Sequence, residues 1–476
     1  MKRLTPLVGL TLALILAGCG GGGGDSAPST SQHQVNTPAP TITASFAKST
    51  ASIGTPVVLT WSSTNASSCT ASGAWSGVQL LSGSLTVTPA VGGQAKYTLT
   101  CSGAGGSAAT DVVLATPIPV QASSYLNAKN LNIDSQTLPN PFSGFKFNYI
   151  EPGERATSGV AMADFFQDGS LSLVVFTNNF VPVTDPLYSK AVGHAYFFKK
   201  VGNGWVDSTA LVMKDQTGCI TPRKVLVADF NGDGKPDVFA SCSGVDLAAG
   251  GGEQPRFLMS QVDGSYKNVA APVICYCHGA AAAEMNRKGY ADIVATDTRP
   301  FQKPFMLIND GQGNFSVDKT RFSNELDPFD AAGSARPIYT VDMIDFNNTG
   351  KFDIIFAGAE TGDATWSTTI LHNPGNNVFV NSNKTILPKN EQYGLVLDVV
   401  FDGGYIYLNR TTNSSIASLT YQGTGIQKIA YPSLVSTMIY THGADYPNKA
   451  PNIDWIMPYK DRMVSFDSGF ALNIVR

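Results

Sequence analysis

Charge is scarce in this chain. Only 14% of its 476 residues are Asp, Glu, Lys or Arg, well below the quarter usual for soluble domains. The five histidines, His33, His194, His278, His372 and His442, stand singly. No His-Glu-x-x-His, Gly-x-Ser-x-Gly or phosphate-binding glycine loop occurs, so the motif-borne zinc-protease, serine-hydrolase and nucleotide chemistries have no foothold. No Lys/Arg stripe is present and the net charge is −4, which argues against a nucleic-acid partner. The apolar run from Leu7 to Leu16 is too short to span a bilayer. Beyond it no segment of any length has helical period. What the chain has in quantity is Gly (47) and Pro (27), a composition that fits an exported all-β protein, long enough for more than one core.

One nonapeptide carries more information than the rest: Asp229-Phe-Asn231-Gly-Asp233-Gly-Lys235-Pro-Asp237. Side-chain oxygens fall at positions 1, 3, 5 and 9, with glycines at 4 and 6. A hard cation needs several oxygens at about 2.3–2.6 Å on a tightly curled chain, which is what this spacing supplies. Lys235, at position 7, would contribute its backbone carbonyl. Short apolar runs flank the loop on both sides, so it joins strands rather than the helices of an EF-hand. Calcium is the expected ion, held by Asp229, Asn231, Asp233, Lys235 and Asp237.

Degraded copies of the loop begin at Asp164, Glu284 and Asp345, with weaker ones near Asp398 and Asp445, at steps of 47 to 65 residues. Each interval has room for two further strands, and a repeat of this length with four short strands is the pattern of a β-propeller blade. The run from Val227 to Asp237, with the later turn Ile308-Asn-Asp-Gly-Gln-Gly-Asn-Phe315, resembles the FG-GAP/VCBS repeat family, whose propellers are related to the integrin α-chain head. The resemblance covers 140–476 and implies an FG-GAP/VCBS-like β-propeller. The visible copies favour six blades, with 140–150 as a closing strand; seven is the alternative. The copies differ in their ligands. Asp345, Asn347 and Asp353 form a weaker second metal site, whereas Lys288 in the third copy, and Phe166 with Ser172 in the first, predict no ion there.

The N-terminus reads as a targeting device. Lys2 and Arg3 precede the apolar run, as in a secretory signal, and Leu16-Ala-Gly-Cys19 resembles the lipobox of bacterial lipoproteins. That resemblance implies a signal peptide over 1–18, lipidation of Cys19 and membrane attachment; Gly20 after the cysteine favours the outer membrane. Residues 19–38 form a Gly/Ser/Pro tether. Residues 39–116 show period-two strands and one cysteine pair, Cys69 and Cys101, and resemble a bacterial Ig-like β-sandwich. We expect it to be a spacer, stapled between its two sheets. Residues 117–139 are a linker.

Cys219, Cys242, Cys275 and Cys277 are expected to form disulfides in an exported protein. Pairing Cys219 with Cys242 leaves a Cys-x-Cys bridge; crossed pairing, or a thiol metal site with His278, are the alternatives. The long insertions fall on the face opposite the calcium loop and hold Tyr188, Arg299, Phe301, Asp327, Asp330, Arg336 and Trp366. Long loops on a rigid scaffold are where recognition sits, so these are the expected ligand-binding residues. The leading expectation is a lipid-anchored envelope protein binding a glycan or protein. The alternative is an envelope enzyme cutting polysaccharide with carboxylates on that face.

Overall fold

The computed structural model describes residues 37–117, 154–179, 191–202, 204–245, 251–286, 290–299, 302–322, 338–360, 367–411, 423–442, 455–459, 461–467 and 470–475. The Cys19 anchor, tether residues 19–36, linker residues 118–139, the closing strand expected over 140–150 and the copy near Asp445 lie outside these residues, as do Lys288, Tyr188, Phe301, Asp327, Asp330, Arg336 and Trp366.

The described residues are almost all β, with a single helical turn, Thr209–Val212. The N-terminal unit packs two antiparallel sheets. One holds Thr41–Phe46, Val57–Thr64 and Ser82–Val87; the other holds Gly77–Gln79, Ser68–Gly73, Gly93–Gly103 and Gly106–Thr116. Alternation in Val57–Thr64 sends Val57, Leu59 and Trp61 inward, onto Leu99, Cys101 and Leu114 of the other sheet. Trp61 and Trp75 meet edge to face at 5.1 Å. The disulfide corrects the sequence reading. Cys69 and Cys101 face each other on adjacent strands of one sheet, their Cα atoms 4.1 Å apart, so the bridge ties two neighbouring strands and does not cross the sandwich. A close cross-strand pair puts the two side chains on the same face, within bonding reach.

Six further sheets follow. Sheet 1 comprises Glu154–Ala163, Ser172–Asn179, Ala195–Val201 and Gly204–Asp207; sheet 2, Pro222–Ala228, Asp237–Cys242, Arg256–Ser260 and Tyr266–Ala270; sheet 3, Cys277–Ala283, Asp292–Asp297, Phe305–Asn309 and Phe315–Asp318. Sheet 4 comprises Ile338–Ile344, Asp353–Gly358, Thr369–Leu371 and Lys384–Ile386; sheet 5, Leu395–Asp402, Tyr405–Thr411, Thr424–Ala430 and Ser436–His442. Sheet 6 shows three strands, Met457–Tyr459, Arg462–Asp467 and Phe470–Val475. Ser436–His442 pairs with Thr424–Ala430 and completes sheet 5.

Each sheet is an antiparallel meander, and the first strand of each packs on the first strand of the next. Second strands such as Asp237–Cys242 and Asp292–Asp297 are buried along their whole length, because a neighbouring sheet covers each face. The apolar cores therefore lie between sheets. Phe165, Phe197, Val227 and Leu258 fill the gap between sheets 1 and 2; Phe239, Phe257, Ile293 and Phe305 that between sheets 2 and 3. Trp455, Met457 and Val464 of the last sheet pack on Val160, Met162 and Leu173 of the first. This cyclic order is consistent with a β-propeller.

Candidate functional site

The loop at Asp229–Asp237 follows the first strand of sheet 2, and its backbone curl has a local cause. Gly232 and Gly234 have φ of 78°, a region open to glycine without penalty. Two degraded copies keep the same curl at the same positions, with Gln167 and Gly169 in sheet 1 and Asn348 and Gly350 in sheet 4 all at positive φ. In each, the first acid gathers the loop amides. Asp229 accepts the N–H groups of Gly232, Asp233 and Gly234 at 2.7–3.1 Å. Asp164 accepts those of Asp168 and Gly169, and Asp345 those of Thr349 and Gly350.

Position 9 does something the sequence does not announce. Asp237, fully buried, accepts the N–H of Phe230, of Asn231 and of Ser260 at 2.7–3.1 Å, and the Ser260 hydroxyl at 2.6 Å. It thus ties the loop to the end of the third strand. Asp292 holds Asn309 N–H in the same way, and Asp353 holds Asn373 N–H. Asn309 in turn donates to the Phe230 carbonyl of sheet 2, so the turn after Ile308 fastens neighbouring sheets together.

The donor set of this loop suits a hard cation. Burial, with the nearby Asp233 charge adding to it, pushes the Asp237 carboxyl up to about 6. Lys235 does not relieve it, for its ammonium donates to the Gln261 carbonyl at 2.7 Å. The sheet 1 loop has a protein cation of its own, Lys199 on Asp168 at 2.7 Å. In the sheet 4 loop Asp353 is engaged by His372 Nδ1 at 2.9 Å as well as by Asn373, and position 5 offers the Thr349 hydroxyl where the sheet 2 loop has the Asp233 carboxylate. The carboxylates of Asp229, Asp233 and Asp237 are not gathered to within 4.8 Å of one another. The described group that does meet this spacing is Cys219, Cys242 and Glu253. Those cysteines form a disulfide, as do Cys275 and Cys277, so no thiol remains for a metal site with His278. Glu253 is caged by the amides of Ile220, Thr221 and Gly244.

A second constellation, unforeseen from sequence, lies where the first strands converge. Five of these strands carry a register shift near their start, between Ala156 and Val160, Pro222 and Val225, Cys277 and Ala280, Ile338 and Thr340, and Val396 and Asp398. A bulge turns side chains off the ladder, and residues at these bulges, Arg223, Lys224, His278, Gly279, Thr340, Leu397 and Asp398, line the axial cavity together with Trp455. Lys224 of sheet 2 reaches Asp398 of sheet 5 at 2.7 Å, and Asp398 also accepts Ile456 N–H of sheet 6 at 2.8 Å. Burial pushes the Asp398 carboxyl up while Lys224 draws it back. His278 Nδ1 donates to the Tyr339 carbonyl at 2.8 Å; burial, then the Arg223 charge, hold its pKa well below the usual value. Gly279 is required here, since a Cβ would come within 2.6 Å of the Thr340 Cα. The cavity itself measures about 20 Å³, room for roughly one water. The repeat spacing predicts Asp398 as a loop acid. It is an axial strand residue, because in sheet 5 the loop has shrunk to the Gly403-Gly404 turn.

Of the expected ligand-binding residues, Arg299 is described, and its groups are used internally. Its guanidinium grips Asp297 at 2.7 Å and donates to the Ile274 carbonyl at 2.7 Å, bracing the loop that carries Cys275 and Cys277.

No family model and no curated protein matches this chain. Among solved structures it is similar to a protein of unknown function from Bacteroides thetaiotaomicron, at 9% identity and a TM-score of 0.37, over 92% of this chain and 98% of that one. It is similar also to a GH74 enzyme of Niastella koreensis (12% identity, TM-score 0.38, covering 67% and 41%). A rhamnogalacturonan lyase of Bacillus licheniformis shows 12% identity and a TM-score of 0.31, over 88% and 87%. Likeness at this distance does not bear on function.

Proposed function

We propose that this is a lipid-anchored envelope protein that presents a calcium-stabilised, six-bladed β-propeller to a glycan or protein ligand. In this reading Cys19 carries the lipid at the outer membrane, and the Ig-like sandwich over 39–116 is the spacer. The six-bladed ring is supported by six successive sheets and by the packing of Trp455 and Met457 on Val160 and Met162. Calcium is supported by the spacing of the oxygen donors at Asp229, Asn231, Asp233 and Asp237.

The observation that carries binding over catalysis is the state of the axis. Its polar groups are engaged in protein bonds, Lys224 with Asp398 and His278 with Tyr339 between sheets and Arg223 with Ser243 beside its own sheet, and its cavity holds about one water. Such an arrangement braces a scaffold, and recognition then belongs to the faces. A soluble fragment over 39–476 applied to a glycan array and used as bait for envelope proteins tests this. Saturable binding without turnover is expected. Depolymerisation of a bound polysaccharide would replace the reading with the enzymatic one.

A further inference from the structure

We propose that the ligand face is the one carrying the metal-type loops, and that the groove between sheets 3 and 4 there takes an oligosaccharide bearing a carboxylate. This inference rests on the binding reading and names the ligand class.

The groove has a volume of about 640 Å³, within the range of small-molecule sites and far larger than the axial cavity. Three loop segments form it: Met285 and Asn286 after the first strand of sheet 3, Gly350 and Lys351 in the corresponding loop of sheet 4, and Pro374 to Asn377 after the third strand of sheet 4. Among the described residues, its lining contains no carboxylate and no aromatic ring. It offers amides, an ammonium group, and backbone bared by Gly350 and Gly375.

The lining is held in place from behind. Asn377 Nδ2 donates to the Met285 carbonyl and to Asn286 Oδ1, at 3.2 and 3.1 Å, and Asn377 Oδ1 accepts from Asn373 at 2.7 Å. Asn286 is fixed in turn by Asp292 at 2.5 Å, and Asn376 Oδ1 accepts Val378 N–H at 3.0 Å. Two donors remain uncommitted among the described residues, the Asn376 amide nitrogen and the Lys351 ammonium. An ideal Cβ on Gly375 would lie 3.4 Å from Lys351 Nζ, so the cation sits over the groove wall. Amides fixed by their neighbours lose little freedom on binding and suit hydroxyl groups. A cation with no acidic neighbour in the lining selects an anionic ligand. A hydroxyl-rich chain with a carboxylate matches both, whereas an apolar ligand would find nothing to pack on.

The test is calorimetric titration of the 39–476 fragment with oligogalacturonate and with a neutral galactan oligomer of equal length. Binding of the acidic oligomer, weakened by added salt and at least tenfold tighter than the neutral one, is expected. Lys351→Glu should abolish it and Asn376→Ala weaken it several-fold, while Lys351→Arg retains it, all with unchanged melting temperature. No binding of the acidic oligomer by wild type, or equal binding by wild type and Lys351→Glu, would overturn the groove assignment. A ligand found on the array whose binding ignores Lys351→Glu would overturn the groove and leave the binding reading standing; a blank array and an empty pull-down would remove both.

Discussion

Glu360 and Arg410 show what a single residue can decide in a chain with so little charge. Arg410 is fully buried and donates to Glu360 at 2.7 Å, to Gln427 at 2.6 Å and to the Tyr393 carbonyl at 3.0 Å; Glu360 accepts the Thr368 amide and hydroxyl as well. Removing one partner of such a pair leaves a buried charge alone, so Glu360→Gln should cost about 3–5 kcal/mol at neutral pH. Burial alone would raise the Glu360 carboxyl, but Arg410 outweighs it and holds the net value below the ordinary one. A depressed carboxyl contributes stability that is complete above the unfolded value, about 4.3, and is lost as pH falls through the native value. Urea unfolding should therefore show a wide gap between wild type and Glu360→Gln at pH 7 that narrows below pH 4. A gap independent of pH would contradict the assignment. Neither residue advertises this in sequence, since 50 positions separate them and nothing local marks either as buried.

At the scale of the element, the loop and the strand after it act together. Position 9 both closes the loop and pins the third strand, which explains why Asp292 and Asp353 persist in loops with poor ligand sets. The intact loop in sheet 2 differs in lacking a protein cation at its acids, where sheet 1 has Lys199. Calcium binding to the native state alone would stabilise the fold by mass action, about 2.7 kcal/mol at a hundredfold excess over Kd. The melting temperature of wild type should rise with calcium, and that of Asp233→Ala much less; Asp345→Ala should respond like wild type. An equal rise in wild type and Asp233→Ala would refute the site. The loop's chemistry was legible because its ligands are local. The structural duty of Asp237 was hidden because its partner, Ser260, arrives from another strand.

The whole molecule depends on closure between its last and first sheets. Trp455 lies at the junction, packed with Val160 and Met162 and lining the axis. Truncating a buried Trp costs about 3–5 kcal/mol, so Trp455→Ala should lower stability by that order, and hydrogen exchange should quicken first in sheets 1 and 6. Quickening confined to sheets 3 and 4 would argue against closure there. Attachment belongs to this scale too. Cys19→Ser should move the full chain from the membrane fraction to the soluble one, and a variant that stays with membranes after a carbonate wash would disprove the anchor.

What the sequence determined by itself was whatever depends on neighbours along the chain: the period of the repeats, the curl of the 229–237 loop, the alternation that makes Val57–Thr64 a half-buried strand, and the Asn-Asp-Gly turn before Phe315. Tertiary structure decided the rest. Lys224 meets Asp398 across 174 positions, a contact that exists only because sheets 2 and 5 face each other over a common axis. Cys219 pairs with Cys242 because the start of Pro222–Ala228 lies beside the end of Asp237–Cys242, which leaves Cys275 to bridge to Cys277 two positions away. The bulges that aim side chains into the axis insert residues without any compositional mark. The polar groove arises where loops of two sheets meet, and its shape is written in the packing of those sheets, not in any one segment.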